Sequence, residues 1–420
     1  MALNLAVRMI YWILILILLG NGDAFAGGFA IPHQTARSVG LSNAVTAGVN
    51  DPSAVYFNPA ALTEVEGNQL LGGLNYINVV SSVGNSGIKS TNIHDDNFIP
   101  TLFTNYHIPA TDLTTGIGLY TPFGLATSYG EGKFTRYGAI RSELRTMYVT
   151  PAIGWRANPS LSVGGGLSFV HSSALFSRAL FLGSGIPDGR IRLTDTDNGF
   201  TYNVGLLYKP LEKIKFGLTY RGRVDLDFDT GRAKVADATG AVSTAKSRGT
   251  SVPLPSVISM GLNWQITPAW GAEFVYDYTR WSEFRHLKAR FNPVLLGGGL
   301  SGLFIQELWK DTDTLRLGTY YRLTDSLELR GGIAVDETPI PARTLGPSIP
   351  GADILTLNAG IGYQWKGVGI DLGYMAVFYK QRSVLNSVLE ASNSSNTVAP
   401  GRDKYQTFNN FVSLNLSYRF

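Results

Sequence analysis

The sequence predicts an all-β membrane protein: an antiparallel transmembrane β-barrel of about fourteen strands, plugged by a small N-terminal hatch. Three observations predict it. The chain ends in a strict period of two, with Val412, Leu414, Leu416, Tyr418 and Phe420 alternating with Ser413, Asn415, Ser417 and Arg419. The alternation recurs upstream too often for one water-soluble core, for example where Leu327, Leu329, Ile333 and Val335 alternate with Glu328, Arg330 and Asp336. Composition is the second observation. Charged residues are 16 % of the 420, against roughly 25 % in soluble domains, while Gly (48), Tyr (20) and Phe (21) are plentiful. Beyond the N-terminus no apolar run approaches the roughly 18–20 residues of a membrane helix. Third, the connections between alternating segments are short and long in turn, as in barrels with tight periplasmic turns and long outer loops.

The elements follow in order. Arg8 precedes the apolar run Met9–Leu19, and Ala24-Phe25-Ala26 follows, so residues 1–26 read as a signal peptide cleaved after Ala26. An uncleaved anchor is disfavoured because the run is short for a span. Residues 27–68 lack strand alternation and are too few for an independent domain, which suggests packing inside the lumen as a plug. A floppy periplasmic tail is the alternative, disfavoured because the segment is neither highly charged nor of low complexity. The barrel occupies 69–420, with strands near 69–80, 99–108, 113–124, 143–156, 160–181, 198–209, 213–229, 252–265, 269–285, 312–323, 326–336, 353–366, 368–380 and 405–420. Turns such as Pro109-Ala110-Thr111-Asp112 and Asn158-Pro159 carry tight-turn chemistry. The long loops are 81–98, 125–142, 182–197, 230–251, 286–311, 337–352 and 381–404. An even strand count puts both ends of the barrel in the periplasm.

Several segments carry a resemblance. Gly28-Phe29-Ala30-Ile31, Gly40-Leu41-Ser42-Asn43-Ala44 and Asp51-Pro52-Ser53-Ala54-Val55-Tyr56-Phe57-Asn58-Pro59-Ala60-Ala61-Leu62 resemble the hatch of the outer-membrane long-chain fatty acid and aromatic hydrocarbon transport family (FadL/TodX-like). Tyr120-Thr121-Pro122-Phe123-Gly124-Leu125 and Pro339-Ile340-Pro341 resemble it too. Pro350-Gly351-Ala352-Asp353-Ile354 departs from the acid-rich family element there, lacking its first Asp and its Arg. The resemblance implies a monomer in a Gram-negative outer membrane. It also implies hydrophobic substrate caught at an external apolar groove, held in a lumenal pocket near the mature N-terminus at Phe29, and released through a lateral opening at a kinked third strand. Fatty acids lead; aromatic or alkane hydrocarbons are the alternative. Implied partners are the substrate, outer-membrane lipid and lipopolysaccharide, and the barrel-assembly machinery, for which Phe420 resembles a terminal signal.

Candidate site residues fall into four groups. Pro59 restricts Asn58 to extended geometry, so the Asn58-Pro59-Ala60 amide can bond wall or hatch backbone and gate the plug; a plain helix start is the other reading. Pro122, Phe123 and Gly124 inside a strand predict a kink, since Pro cannot donate and Gly weakens the ladder; an ordinary strand end is the other reading. The loop 286–311 holds Leu295, Leu296, Leu300, Leu303, Phe304 and Trp309, unusually apolar for an outer loop. It either captures substrate or packs into the barrel mouth. Arg178 is the chosen carboxylate partner, with Arg141 and Arg145 as rivals; pairing with wall carboxylates such as Glu143 is the competing reading.

Other functions find little support. The five His lack metal-ligand spacing and Cys is absent, so no metal site or cofactor is expected. Ser172 and Ser173 beside His171 cannot form a catalytic pair on a strand, because neighbours point to opposite faces, so the chain is not read as an enzyme. No basic block suggests nucleic acid. A polar-solute porin conflicts with a plugged lumen. A surface adhesin or phage receptor, working through the long loops, is the alternative of another class.

Overall fold

The computed structural model describes residues 28–85, 87–93, 96–296, 299–384 and 403–420; the expected signal peptide lies outside them. Fourteen antiparallel strands form the wall: β1 (Gln69–Asn85), β2 (Asn97–His107), β3 (Leu113–Tyr120, resuming at Gly124–Ser128), β4 (Arg141–Asn158), β5 (Leu161–Leu180), β6 (Gly189–Leu211), β7 (Ile214–Arg221), β8 (Val257–Gln265), β9 (Trp270–Thr279), β10 (Thr312–Arg322), β11 (Leu327–Asp336), β12 (Ile354–Trp365), β13 (Val368–Tyr379) and β14 (Asp403–Arg419). The seam closes where β14 pairs with β1 from Gln69↔Arg419 to Gly84↔Lys404. Closure at this seam leaves β1 and β14 without an open edge to lipid, a condition for a sheet to cross a membrane.

Alternation decides which side chain meets lipid. Leu414, Leu416 and Tyr418 are exposed on the outer face, while Ser413 and Asn415 are buried in the lumen. Leu167, Phe200 and Ile370 are likewise exposed, so the usual inside-out burial of a water-soluble core is reversed at the wall. β4, β5 and β6 run 18, 20 and 23 residues, well past the roughly 9–11 that span a bilayer, so the barrel projects on its long-loop side.

Above the wall the structure departs from the expected loops. The expected seventh strand, 213–229, breaks at Gly222, and Val224–Phe228 pairs instead with Thr250–Leu254 in a small separate sheet. The expected ninth strand, 269–285, ends at Thr279 and gives way to a short 3-10 turn at Trp281–Glu283. β6 starts nine residues before the expected 198. Two expected loops are hairpins, Gly231–Ala236 with Val242–Arg248 and His286–Leu295 with Leu300–Gln306. All four strands join β6 in one outer extension of the sheet.

Candidate functional site

The hatch is short and held by capping rather than by length. Thr35 and Ser38 cap the helix Ala36–Gly40 reciprocally, and a second helix covers Ala54–Phe57. Asn58 then caps a 3-10 turn at Pro59–Glu64: Ala60 N–H donates to its Oδ1 at 3.1 Å. Its Nδ2 donates both to Thr46 O of the hatch (2.9 Å) and to Leu206 O of β6 (3.2 Å). The helix-start geometry and the hatch-to-wall bond therefore coexist in one buried side chain.

Polar wall residues satisfy the hatch backbone elsewhere. Asn203 Nδ2 donates to Val55 O at 2.8 Å, Asn358 Nδ2 to Val39 O at 2.6 Å, and Ala47 N–H to Glu273 Oε1 at 2.6 Å. At the periplasmic end Glu64 takes Lys209 (2.6 Å) and Lys215 (2.9 Å). The close fit has a covalent basis. A Cβ at Gly116 or Gly118 would meet Val55, at Gly154 or Gly164 Pro59, and at Gly205 Asn58. Gly217, Gly261, Gly318, Gly332, Gly360 and Gly373 face the hatch in the same way from six further strands. The abundant glycine is thus a belt that lets hatch backbone lie directly on wall backbone.

The third strand is interrupted between Tyr120 and Gly124, around Pro122. β3 pairs with β4 as far as Tyr120↔Tyr148 and resumes at Gly124↔Arg145, one residue out of step. On its other side β3 pairs with β2 only from Leu102↔Leu119 downward, leaving Asn97–Thr101 without a β3 neighbour. The hatch N-terminus meets the released backbone: Ile31 N–H donates to Pro122 O (2.7 Å), Gly124 N–H to Phe29 O (3.0 Å), and Ala30 bridges Phe123. At Pro122 and Gly124 the freed backbone is thereby satisfied within protein rather than left to lipid.

Two cavities meet at Phe29. The outer one, about 140 Å³, is apolar and bounded by Leu144, Phe176, Leu193, Phe284 and Leu303. The lumenal one, about 590 Å³, lies within the roughly 300–1,000 Å³ range of small-molecule sites. It extends from Ile31, Met375 and Phe411 to Phe98 and Met147, whose side chains are exposed on the outside of the barrel. It therefore passes through the wall beside the break. Phe29, Leu125, Leu144 and Ile349 line both spaces. Phe29 is 4 % exposed and packs on Trp281 (4.8 Å between centroids), Trp309 (5.5 Å), Phe284 (5.9 Å) and Phe123 (6.2 Å).

Of the predicted site residues, Phe29, Gly124 and Leu303 line these cavities, and Arg178 lines neither. Phe29, Phe123 and Trp309 come together in the aromatic cluster. Leu295 and Leu303 are buried beneath the second hairpin, with Leu296 and Leu300 packed against them. Phe304, by contrast, is exposed and stacks on His286, so it does not join them. The expected open apolar loop is a hairpin because Leu303 alternates with Phe304 across opposite faces. Arg178 points inward between Phe176 and Leu180, which pack on the same leucine cluster. Its Nε is buried without a hydrogen-bond partner, and it makes no ion pair among the described residues. Arg141 and Arg145 both pair with Glu143. The sequence reading missed Trp281, Phe284 and Glu307. The aromatic pair straight after a polar strand end at Thr279 was the available signal. Glu307 accepts from Trp309 Nε1 at 2.9 Å, and burial pushes its carboxyl up to about 7.

Comparison with known proteins agrees with this geometry. The model of a family described as outer membrane protein transport protein (OMPP1/FadL/TodX) matches residues 17–420. The chain is 26 % identical over 391 residues to a long-chain fatty acid transport protein of Escherichia coli, covering 84 % of this chain and 86 % of the relative. It is 25 % identical to outer membrane protein P1 of Haemophilus influenzae, over 96 % and 97 % of the two chains. In fold it is similar to a Pseudomonas aeruginosa FadL homologue (TM-score 0.81, 19 % identity, 94 % and 100 % covered). It is also similar to the P. putida toluene transporter TodX (TM-score 0.72, 18 % identity, 95 % and 99 % covered).

Proposed function

The chain belongs to the outer membrane protein transport family (OMPP1/FadL/TodX) of the Gram-negative outer membrane, and from that membership we propose that it takes up hydrophobic small molecules passively, long-chain fatty acids first among them. Substrate enters the apolar cavity beneath the outer hairpins, passes Phe29 into the lumenal cavity, and leaves sideways through the gap between β2 and the broken β3. The observation that carries this reading is the lumenal cavity that reaches outward-facing Phe98 and Met147 at the break.

Gly124→Val tests the exit. A Cβ at Gly124 would stand 2.9 Å from Ile31 Cδ1, so a branched side chain presses on the hatch strand that lines the gap. Uptake is expected to fall toward that of a deletion strain at equal surface display; unaltered uptake sinks the lateral route.

Arg178 supports a carboxylate cargo: its Nε is buried, it has no ion pair among the described residues, and, although it lines neither cavity, its neighbour Phe176 lines the outer one. The likeness to a toluene transporter favours hydrocarbon as the second reading. Arg178→Gln separates them. A charge-assisted bond lost to the carboxylate lowers oleate uptake roughly tenfold and leaves toluene uptake unchanged. Equal oleate uptake by variant and parent favours the hydrocarbon reading.

A further inference from the structure

The outer extension of the sheet carries opposite chemistry on its two faces. Ile191, Ala233, Val235, Ala245, Ala289 and Phe291 are buried on the inward face. On the other face, Arg192, Arg232, Lys234, Lys246, Arg248 and Arg290 are all exposed. Register places them directly opposite one another as like charges: Lys234↔Arg192, Arg232↔Lys246 and Arg248↔Arg290. Directly opposed like charges destabilise a sheet. None of the six has a carboxylate within ion-pair distance among the described residues. The strand positions on this face hold no Asp or Glu; they are filled by Thr194, Thr244, Asn292 and similar residues. Arg190, next along β6 on this face, pairs with Glu131, and Asp229 bonds the backbone beside Arg248, yet none of the three repelling pairs has a carboxylate within ion-pair distance among the described residues, so the pairs can still take an external anion.

Position selects the anion. On β6 this face is continuous with the lipid-contacting one, because Arg192 and exposed Phe200 are both even-numbered on one uninterrupted strand. Eight residues along a strand is about 26 Å, so the cations stand above the hydrocarbon on the long-loop side. We propose that this face docks the phosphate-bearing sugar core of outer-leaflet lipopolysaccharide, whose anions neutralise the three cation pairs. The proposal is independent of the cargo and of the lateral exit.

Lys234→Gln/Arg248→Gln, which thins all but one of the opposed pairs, tests it in the full-length protein. With purified lipopolysaccharide added to the detergent-solubilised barrel, affinity is expected to drop about thirtyfold, at roughly the strength of one surface cation per substituted residue. In detergent alone the variant should melt higher than the parent, since repulsion is relieved; with lipopolysaccharide present the order should reverse. Lys213→Gln/Arg343→Gln, exposed cations outside the extension, should change neither. Unchanged lipopolysaccharide affinity in the Lys234/Arg248 variant overturns the proposal. So does equal binding of dephosphorylated lipopolysaccharide, or tighter binding of a soluble polyanion such as heparin, which would point to a partner outside the membrane.

Discussion

Phe29→Ala is expected to join the outer and lumenal cavities and to raise the uptake rate. Phe29 is the aromatic side chain that both cavities share, and it is held by four rings. Truncating a buried Phe costs about 3–5 kcal/mol where it is well packed. That cost falls on the closed arrangement of the cluster rather than on the wall, whose strands keep their own ladder. Each 1.4 kcal/mol of bias toward the open arrangement is about tenfold in its population. Uptake of a fluorescent long-chain fatty acid by cells displaying equal amounts of each protein gives the readout, with Trp281 and Trp309 reporting loss of the cluster by fluorescence. A folded variant whose tryptophan signal changes while its uptake does not would remove Phe29 from the path.

Asn58→Leu has the second largest expected effect, and it acts on the plug. The substitution keeps the volume but leaves Thr46 O, Leu206 O and Ala60 N–H without their partner in a fully buried site. Buried groups left unpaired cost about 1–3 kcal/mol each. The hatch should loosen while the barrel stays closed. Planar-bilayer recordings are expected to show ion conductance that the parent lacks, and cells should become sensitive to bulky hydrophilic antibiotics. Conductance equal to the parent's would reduce Asn58 to a simple helix cap.

The wall was legible because lipid enforces a period of two on every strand. Fourteen segments therefore stood out, and the break in β3 was marked by Pro122, which cannot donate to a ladder. What escaped reading follows other rules. The outer hairpins alternate small or apolar residues with Lys and Arg, as at Arg232-Ala233-Lys234-Val235, and charge there reads as loop. In 286–311 the Gly-rich tip and Pro293 read as punctuation, hiding a register that buries Leu303 and exposes Phe304. The glycine belt was invisible in principle, since a residue with no side chain shows no pattern and its meaning lies in what presses on it. The aromatic cluster unites Phe29 with Trp281 and Trp309, more than two hundred and fifty positions away in the chain, and only folding brings them together.

Where the hatch finds its partners also bears on biogenesis. Its first helix, Ala36–Gly40, lies on the far end of the chain: Ala36 N–H donates to Asn415 of β14, Gly373 of β13 faces Ala36, and Gly360 of β12 faces Gly40. Residues exported first are thus anchored by strands synthesised last. The seat of the hatch head is therefore incomplete until the final three strands exist. A chain halted before β12 would lack the strands on which Ala36–Gly40 rests.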